Sequence, residues 1–265
     1  MDKVLIYIFL ILLTTYRTCA QKELTAIVEY NRIINNTAGT SYATLYRLYC
    51  DTQSSFYERI GEAHRVTNKK QEGAELHGEM ITERVIKSGL PHDYYYTNVK
   101  SGDIIFREAI VRNLFIVQDY IESISWQLHS ENKKIGKYNC QKATTKYRGR
   151  KYTAWFTSEI PISHGPWKLR GLPGLILEVT EETGKYEFHA TKINLKPDIK
   201  KIQNKLKKPD TKGIVKMDTY IEALRNKAKD ERAMMIASMP RGAKLLENCD
   251  ECPDPKNRSL ELYND

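Results

Sequence analysis

The sequence predicts an α+β fold: a mostly antiparallel, curved β-sheet followed by one late C-terminal helix. Three observations carry this. Apolar and tyrosine-rich runs of strand length recur through the first two-thirds of the 265-residue chain. Glycine-bearing turns separate several of them at hairpin spacing. A helical period comes late, after residue 216, and meandering strands followed by a helix favour an antiparallel sheet.

The elements follow in order. Leu24 to Ile33 reads as a first strand, with apolar residues mixed among polar ones. Ala43 to Cys50, rich in Tyr and Leu, and Ser55 to Arg59 continue the sheet. Glu62 to Glu79 is polar and broken by Gly73 and Gly78, which predicts a mobile loop. After the Gly89-Leu-Pro91 turn, Tyr94-Tyr95-Tyr96 opens another strand, followed by Ile104 to Ile110 and Phe115 to Tyr120.

Ser125 to Ser130, Tyr138 to Tyr147 and Tyr152 to Glu159 form a meander, with Lys134-Ile-Gly136 and Arg148-Gly-Arg150 as its turns. On the third of these strands Tyr152, Ala154 and Phe156 share one face, and Thr153, Trp155 and Thr157 the other. Leu175 to Thr180 and Tyr186 to Leu195 pair across Glu181-Glu-Thr-Gly184. Lys196 to Lys216 holds eight lysines and two prolines and reads as an exposed connector. Thr219 and Glu222 then make a capping box, with Ile221, Leu224, Ala228 and Met235 near one helical face and Pro240 as the stop.

Residues 1–20 read as a secretory signal peptide. Lys3 gives the positive start, Val4 to Leu13 the short apolar run, and Thr18-Cys19-Ala20 the small residues before a cleavage site at Gln21. The run is too short to span a membrane, and no later segment is apolar enough to do so. Tyr16-Arg17-Thr18 lacks the pattern that would make Cys19 a lipid anchor. No Ser/Gly/Pro-rich linker divides residues 21–265, so a single domain is expected.

Removing Lys3, Arg17 and Asp2 with the signal takes the net charge from +9 to +8. That balance suits an anionic partner, though solvated surface charge explains it as well. Nucleic acid is not expected of an exported chain without a binding motif. Cys50, Cys140, Cys249 and Cys252 remain after cleavage, and an even count in an exported chain points to disulfides. Three pairings are open. Cys50–Cys140 with Cys249–Cys252 is favoured, because the close pair can join without long-range order.

The densest run of backbone-shaping residues is Ile160 to Glu178, with three glycines and three prolines. Gly165-Pro166 and Leu172-Pro173-Gly174 read as two turns feeding Leu175-Ile-Leu177 into the sheet. Gly171 and Gly174 are expected where a side chain is not tolerated. Together with Trp155 and Trp167, the residues Gly165, Pro166, Gly171, Leu172, Pro173 and Gly174 are the candidate binding surface, with a purely structural role for the run as the competing reading.

Around Gly171-Leu-Pro-Gly-Leu-Ile176 the chain resembles the GLPGLI family, exported proteins of Gram-negative bacteria. Tyr138-Asn-Cys140-Gln-Lys-Ala143, Gly149-Arg150, Ala154-Trp155-Phe156-Thr157, Ile160-Pro161 and Gly165-Pro166-Trp167 extend the resemblance over about a quarter of the chain. It implies a periplasmic, envelope or secreted protein and supplies no catalytic residue. The function expected is non-enzymatic binding of a small ligand or an envelope or outer-membrane protein.

The competing class is a secreted hydrolase or thiol enzyme, in which Cys140 would act with His164 or His189. Neither a nucleophile turn at Cys140 nor the adjacency of Ser163 and His164 supplies the geometry. Cys249-Asp-Glu-Cys252 has redox spacing, but its acidic neighbours disfavour thiolate. The histidines show no ligand spacing, so neither a metal nor another cofactor is expected.

Overall fold

The computed structural model describes residues 24–36, 39–66, 82–86, 89–238 and 259–262. The expected signal peptide, Cys249, Cys252 and residues 67–79 of the expected loop lie outside them. Period-two burial builds the strands. In β1 (Ala26–Asn35) Ala26, Val28 and Tyr30 are buried and their neighbours only partly so. The chain continues through β2 (Ser41–Cys50), β3 (Ser54–Arg59), β4 (Ala63–Val66) and β5 (Thr82–Ile86). It then forms β6 (Tyr94–Asn98), β7 (Asp103–Ile110), β8 (Asn113–Tyr120), β9 (Gln127–Ile135) and β10 (Tyr138–Tyr147). β11 (Arg150–Thr157), β12 (Leu175–Glu181) and β13 (Tyr186–Asn194) complete the meander.

With a short β14 (Val215–Lys216), all of these belong to one open, curved sheet ordered β14-β8-β7-β6-β3-β2-β1-β13-β12-β11-β10-β9, with β4 and β5 branching from β2. β1 sits near the middle, antiparallel to both β2 and β13. Only β14 (Val215–Lys216) pairs in parallel, with β8. The turn between β10 and β11 puts both Arg148 and Gly149 at positive φ, as the tightest hairpins require.

Two helices complete the described structure, α1 (Ile199–Lys205) and α2 (Met217–Ser238). The fold is therefore mostly β, and the α+β expectation overstates its helical part. The lysine-rich segment is more than a connector. Asp198 caps α1 by accepting from the backbone N–H groups of Lys200 and Lys201, and Ile202 anchors the helix inward. The late helix is present, but it starts before the expected capping box. β14 runs straight into α2, which leaves Thr219 inside its first turn. β4 likewise takes up the start of the expected loop at Glu62–Glu79.

The main core lies on one face of the sheet. A row of rings crosses neighbouring strands: Tyr46 stacks on Tyr57 at 4.8 Å, Tyr57 meets Tyr95 at 6.1 Å, and Tyr95 meets Phe106 at 5.8 Å. Tyr220 of α2 closes the row edge-on to Phe106 at 5.0 Å. Alternation sends Tyr94, Tyr96 and Ile105 to the opposite face, where a smaller cluster forms with Ile214 packed against it.

The Cys50–Cys140 disulfide is not formed. Both thiols are free and fully buried. β1, β13, β12 and β11 stand between their strands, whereas a bridge needs Cα atoms within about 7 Å. Cys50 Sγ instead donates to the Ala26 carbonyl and Cys140 Sγ to that of Tyr138.

Candidate functional site

The run from Ile160 to Glu178 folds into the molecule. Local backbone bonds shape it: Leu169 N–H donates to Pro166, Gly171 to Ser163, Gly174 to Leu172 and Ile176 to His164. Tyr30 Oη reaches across from β1 to the Ile176 carbonyl at 2.7 Å. Gly165, Pro166, Trp167, Leu172 and Gly174 are buried, while Gly171 and Pro173 are exposed. Gly174 has an extended contact with the end of β11: a Cβ there would lie 2.1 Å from the Thr157 carbonyl oxygen. Gly171 has open space but a φ of 91°. Trp155 projects off the other face of β11, half-buried, with Lys133 Nζ 4.6 Å from its ring centroid.

Of the eight expected binding residues, Trp167 lines a cavity between the sheet and the last helix. It holds a φ of 57°, unusual for a large side chain, and packs against Tyr147 and Tyr152. The cavity measures about 360 Å³. Arg32 and Ile34 of β1, Tyr95 of β6, Glu108 of β7 and Tyr186 of β13 supply its sheet wall. Tyr220, Leu224 and Lys227 of α2 face them, and Ser259 to Glu261 close a side. Val111, in the turn between β7 and β8, also lines it with a φ of 57°. A β-branched residue in that region is strained, and such strain gathers at functional sites.

The acidic groups of the cavity are already engaged. Glu108 accepts from the hydroxyls of both Tyr95 and Tyr220. Burial first, and Glu108 second, push both phenols well above their ordinary pKa, so they remain donors. Asp93 accepts from Tyr46 and pairs with Arg59 at 2.9 Å. Glu261 takes Lys168 Nζ at 2.6 Å, and the same ammonium reaches Asp119 at 3.0 Å. Burial alone would lower the Lys168 pKa, but Glu261 and Asp119 raise it above its usual value and keep it charged. Burial also raises the Glu261 pKa, with Lys168 pulling against it.

The basic groups differ. Arg32 approaches Asp93 only at 3.7 Å and lies over the Tyr46 ring at 4.5 Å. Its Nε is buried with no hydrogen-bond partner. Lys227 makes no ion pair with any described residue.

The thiol-enzyme constellation is not assembled. Cys140 is buried, and burial pushes its thiol up to about 11, the reverse of nucleophile activation. His164 is also buried, pushed down to about 4 by burial and then by Arg170, and its Nε2 has no hydrogen-bond partner. His189 instead lies between Glu178 and Glu187, whose hydrogen bonds push it up to about 9. Among the described residues no His, Cys, Asp and Glu side chains group into a metal site, and no helix is long and apolar enough to cross a membrane.

Sequence reasoning missed Arg32, Asp93, Glu108, Tyr220, Lys227 and Glu261. They are spread over more than two hundred residues, and only the sheet unites them. One signal was available: Glu108 in Ile104-Ile-Phe-Arg-Glu-Ala-Ile110 and Arg32 in Tyr30-Asn-Arg-Ile-Ile34 are charges set in strand-forming apolar runs.

Residues 147–178 match a family model described as "Protein of unknown function (Porph_ging)". The matched segment runs from the end of β10 to β12 and includes Trp167 and Lys168. No curated protein matches the chain. Two solved structures of PNGF-II, in space groups P21 and C2, are similar to it, each at 16% identity and over 77% of this chain. Their TM-scores are 0.46 and 0.45, and the match covers 34% and 33% of those chains, so this chain spans about a third of their length.

Proposed function

We propose that this chain is an exported, non-enzymatic binding protein of the GLPGLI type, and that the cavity beside Trp167 receives a small ligand. The observation that carries the reading is the cavity itself. At about 360 Å³ it falls in the size range of small-molecule sites. Aromatic, aliphatic and charged side chains converge there from five strands and a helix, and two non-glycine residues with positive φ hold its wall. The buried thiol, the buried neutral histidine and the ion-paired histidine favour binding over nucleophilic catalysis.

A fragment screen by saturation-transfer NMR on the full chain tests this. Hits should compete for one site and be lost in Leu224→Trp, which fills the cavity from α2, with the melting temperature nearly unchanged. Hits that bind Leu224→Trp as well as the parent would overturn the assignment. The export half of the proposal rests on the signal-like N-terminus. Mass analysis of the secreted product should find Gln21 first, and a lipid-modified Cys19 would contradict it.

A further inference from the structure

Resting on the reading of the cavity as a ligand site, we propose that its ligand carries a single carboxylate, held by Arg32, on an aryl body. Charge accounting leads there. The cavity wall carries three acids, Asp93, Glu108 and Glu261, and each is satisfied from within the protein by Arg59 and Tyr46, by two tyrosines, and by Lys168. Asp93 and Glu261 are paired with cations, while Glu108 has its hydrogen bonds met by two neutral hydroxyls and keeps its charge.

Arg32 has the opposite balance. Its nearest carboxylate oxygen is 3.7 Å away on an acid that Arg59 holds at 2.9 Å. Its buried Nε donates to nothing. A guanidinium matches a carboxylate through its planar set of donors, and Arg32, whose side chain is 17% exposed on the cavity wall, is held there by one long ion pair. Lys227 adds a second positive group on the helix side.

The same accounting limits the ligand's charge. A dianion such as a phosphate monoester would face Arg32 and Lys227 but also the three acids, and one of its charges would remain uncompensated. The rest of the wall fixes the body of the ligand. Tyr186, Tyr220, Trp167, Ile34 and Leu224 offer ring faces and aliphatic surface for an aryl body, beside the charged groups of the wall.

The test is a titration of the full chain with phenylacetate, its neutral isostere phenylacetamide and the dianion phenyl phosphate, followed by saturation-transfer NMR. The parent should prefer phenylacetate over the amide by about tenfold or more, the scale of one charge-assisted hydrogen bond. Phenyl phosphate should bind no better than phenylacetate. Arg32→Gln should abolish the acid–amide difference while amide binding persists. Equal binding of acid and amide by the parent overturns the proposal, and so does tightest binding of phenyl phosphate. Preference for the acid that survives Arg32→Gln removes Arg32 as the anchor. The acid–amide comparison on the parent decides the matter even if the variant does not fold. Neutral fragments that compete in the cavity while none of the three probes binds would sink this inference and leave the cavity reading standing. A screen in which nothing binds the cavity would sink that reading first.

Discussion

Gly171 and Gly174 sit three residues apart and are needed for different reasons. At Gly174 a Cβ would be driven to 2.1 Å from the Thr157 carbonyl oxygen and 2.6 Å from its carbon, and backbone cannot step aside as a side chain would. At Gly171 there is room, and only the φ of 91° opposes a side chain. Gly171→Ala should therefore cost on the order of 1–2 kcal/mol, the penalty of a left-handed backbone. Gly174→Ala should cost more, about 3 kcal/mol or above, because it forces β11 and the signature run apart. Urea unfolding of the two variants checks the order, and equal losses would contradict it.

His164 gives a residue-scale prediction in pH. Its folded pKa of about 4 lies below the ordinary value near 6.5, so the native state keeps it neutral where the unfolded chain takes up a proton. The neutral contribution is complete above pH 6.5 and is lost as pH falls toward 4, by roughly 3 kcal/mol in all. His164→Leu should flatten that limb of the stability curve, read by urea midpoints between pH 7 and 4. His189 acts at the other end. Its pKa of about 9 means a contribution present below pH 6.5 and lost as pH rises through 9.

At the scale of elements, one buried ammonium ties three parts of the chain together. Lys168, from the signature run, bridges Asp119 of β8 and Glu261 of the C-terminal segment, with its Nζ 4.0 Å from the Phe106 ring centroid. The same segment is held by Arg150, which donates to the Ser259 carbonyl, and by Tyr152, which donates to that of Leu260. Lys168→Met would leave Glu261 buried without its ammonium, while Arg148 still holds Asp119 at 3.1 Å, and should cost about 3–5 kcal/mol. Adding Glu261→Leu should recover part of that loss, since the orphaned charge goes with it. A double-mutant cycle by chemical denaturation measures this. A double variant as unstable as the sum of its parts would show that the ion pair is not what holds the segment.

These elements also show what the sequence made legible. Tyr138–Tyr147 reads as a strand with its observed bounds because turn glycines flank it, and its buried side changes parity between Cys140 and Ala143, where a bulge falls. The alternation Tyr152, Ala154, Phe156 identifies the core face of β11 before any pairing is known. α1 was hidden because only Ile202 marks its buried side among the lysines. The start of α2 was misplaced because Thr219-x-x-Glu222 imitates a capping box, while the pairing of Val215 with Val117 decides where the helix begins.

At the scale of the whole molecule, the cavity depends on contacts that no local pattern encodes. Arg32 reaches it from the centre of the sheet, Glu108 from a strand on one side of β1, Tyr186 from a strand on the other, and Tyr220 from the last helix. The signature run was legible as a shaped loop. That its Trp167 turns inward onto this cavity follows from long-range packing on Tyr147 and Tyr152.

The most direct measurement is a structure of the protein with phenylacetate bound. The ligand should lie in the cavity with its carboxylate on the Arg32 guanidinium and its ring among Tyr186, Tyr220 and Trp167. Phenylacetate bound elsewhere on the molecule, with the cavity unoccupied at saturation, would contradict the account.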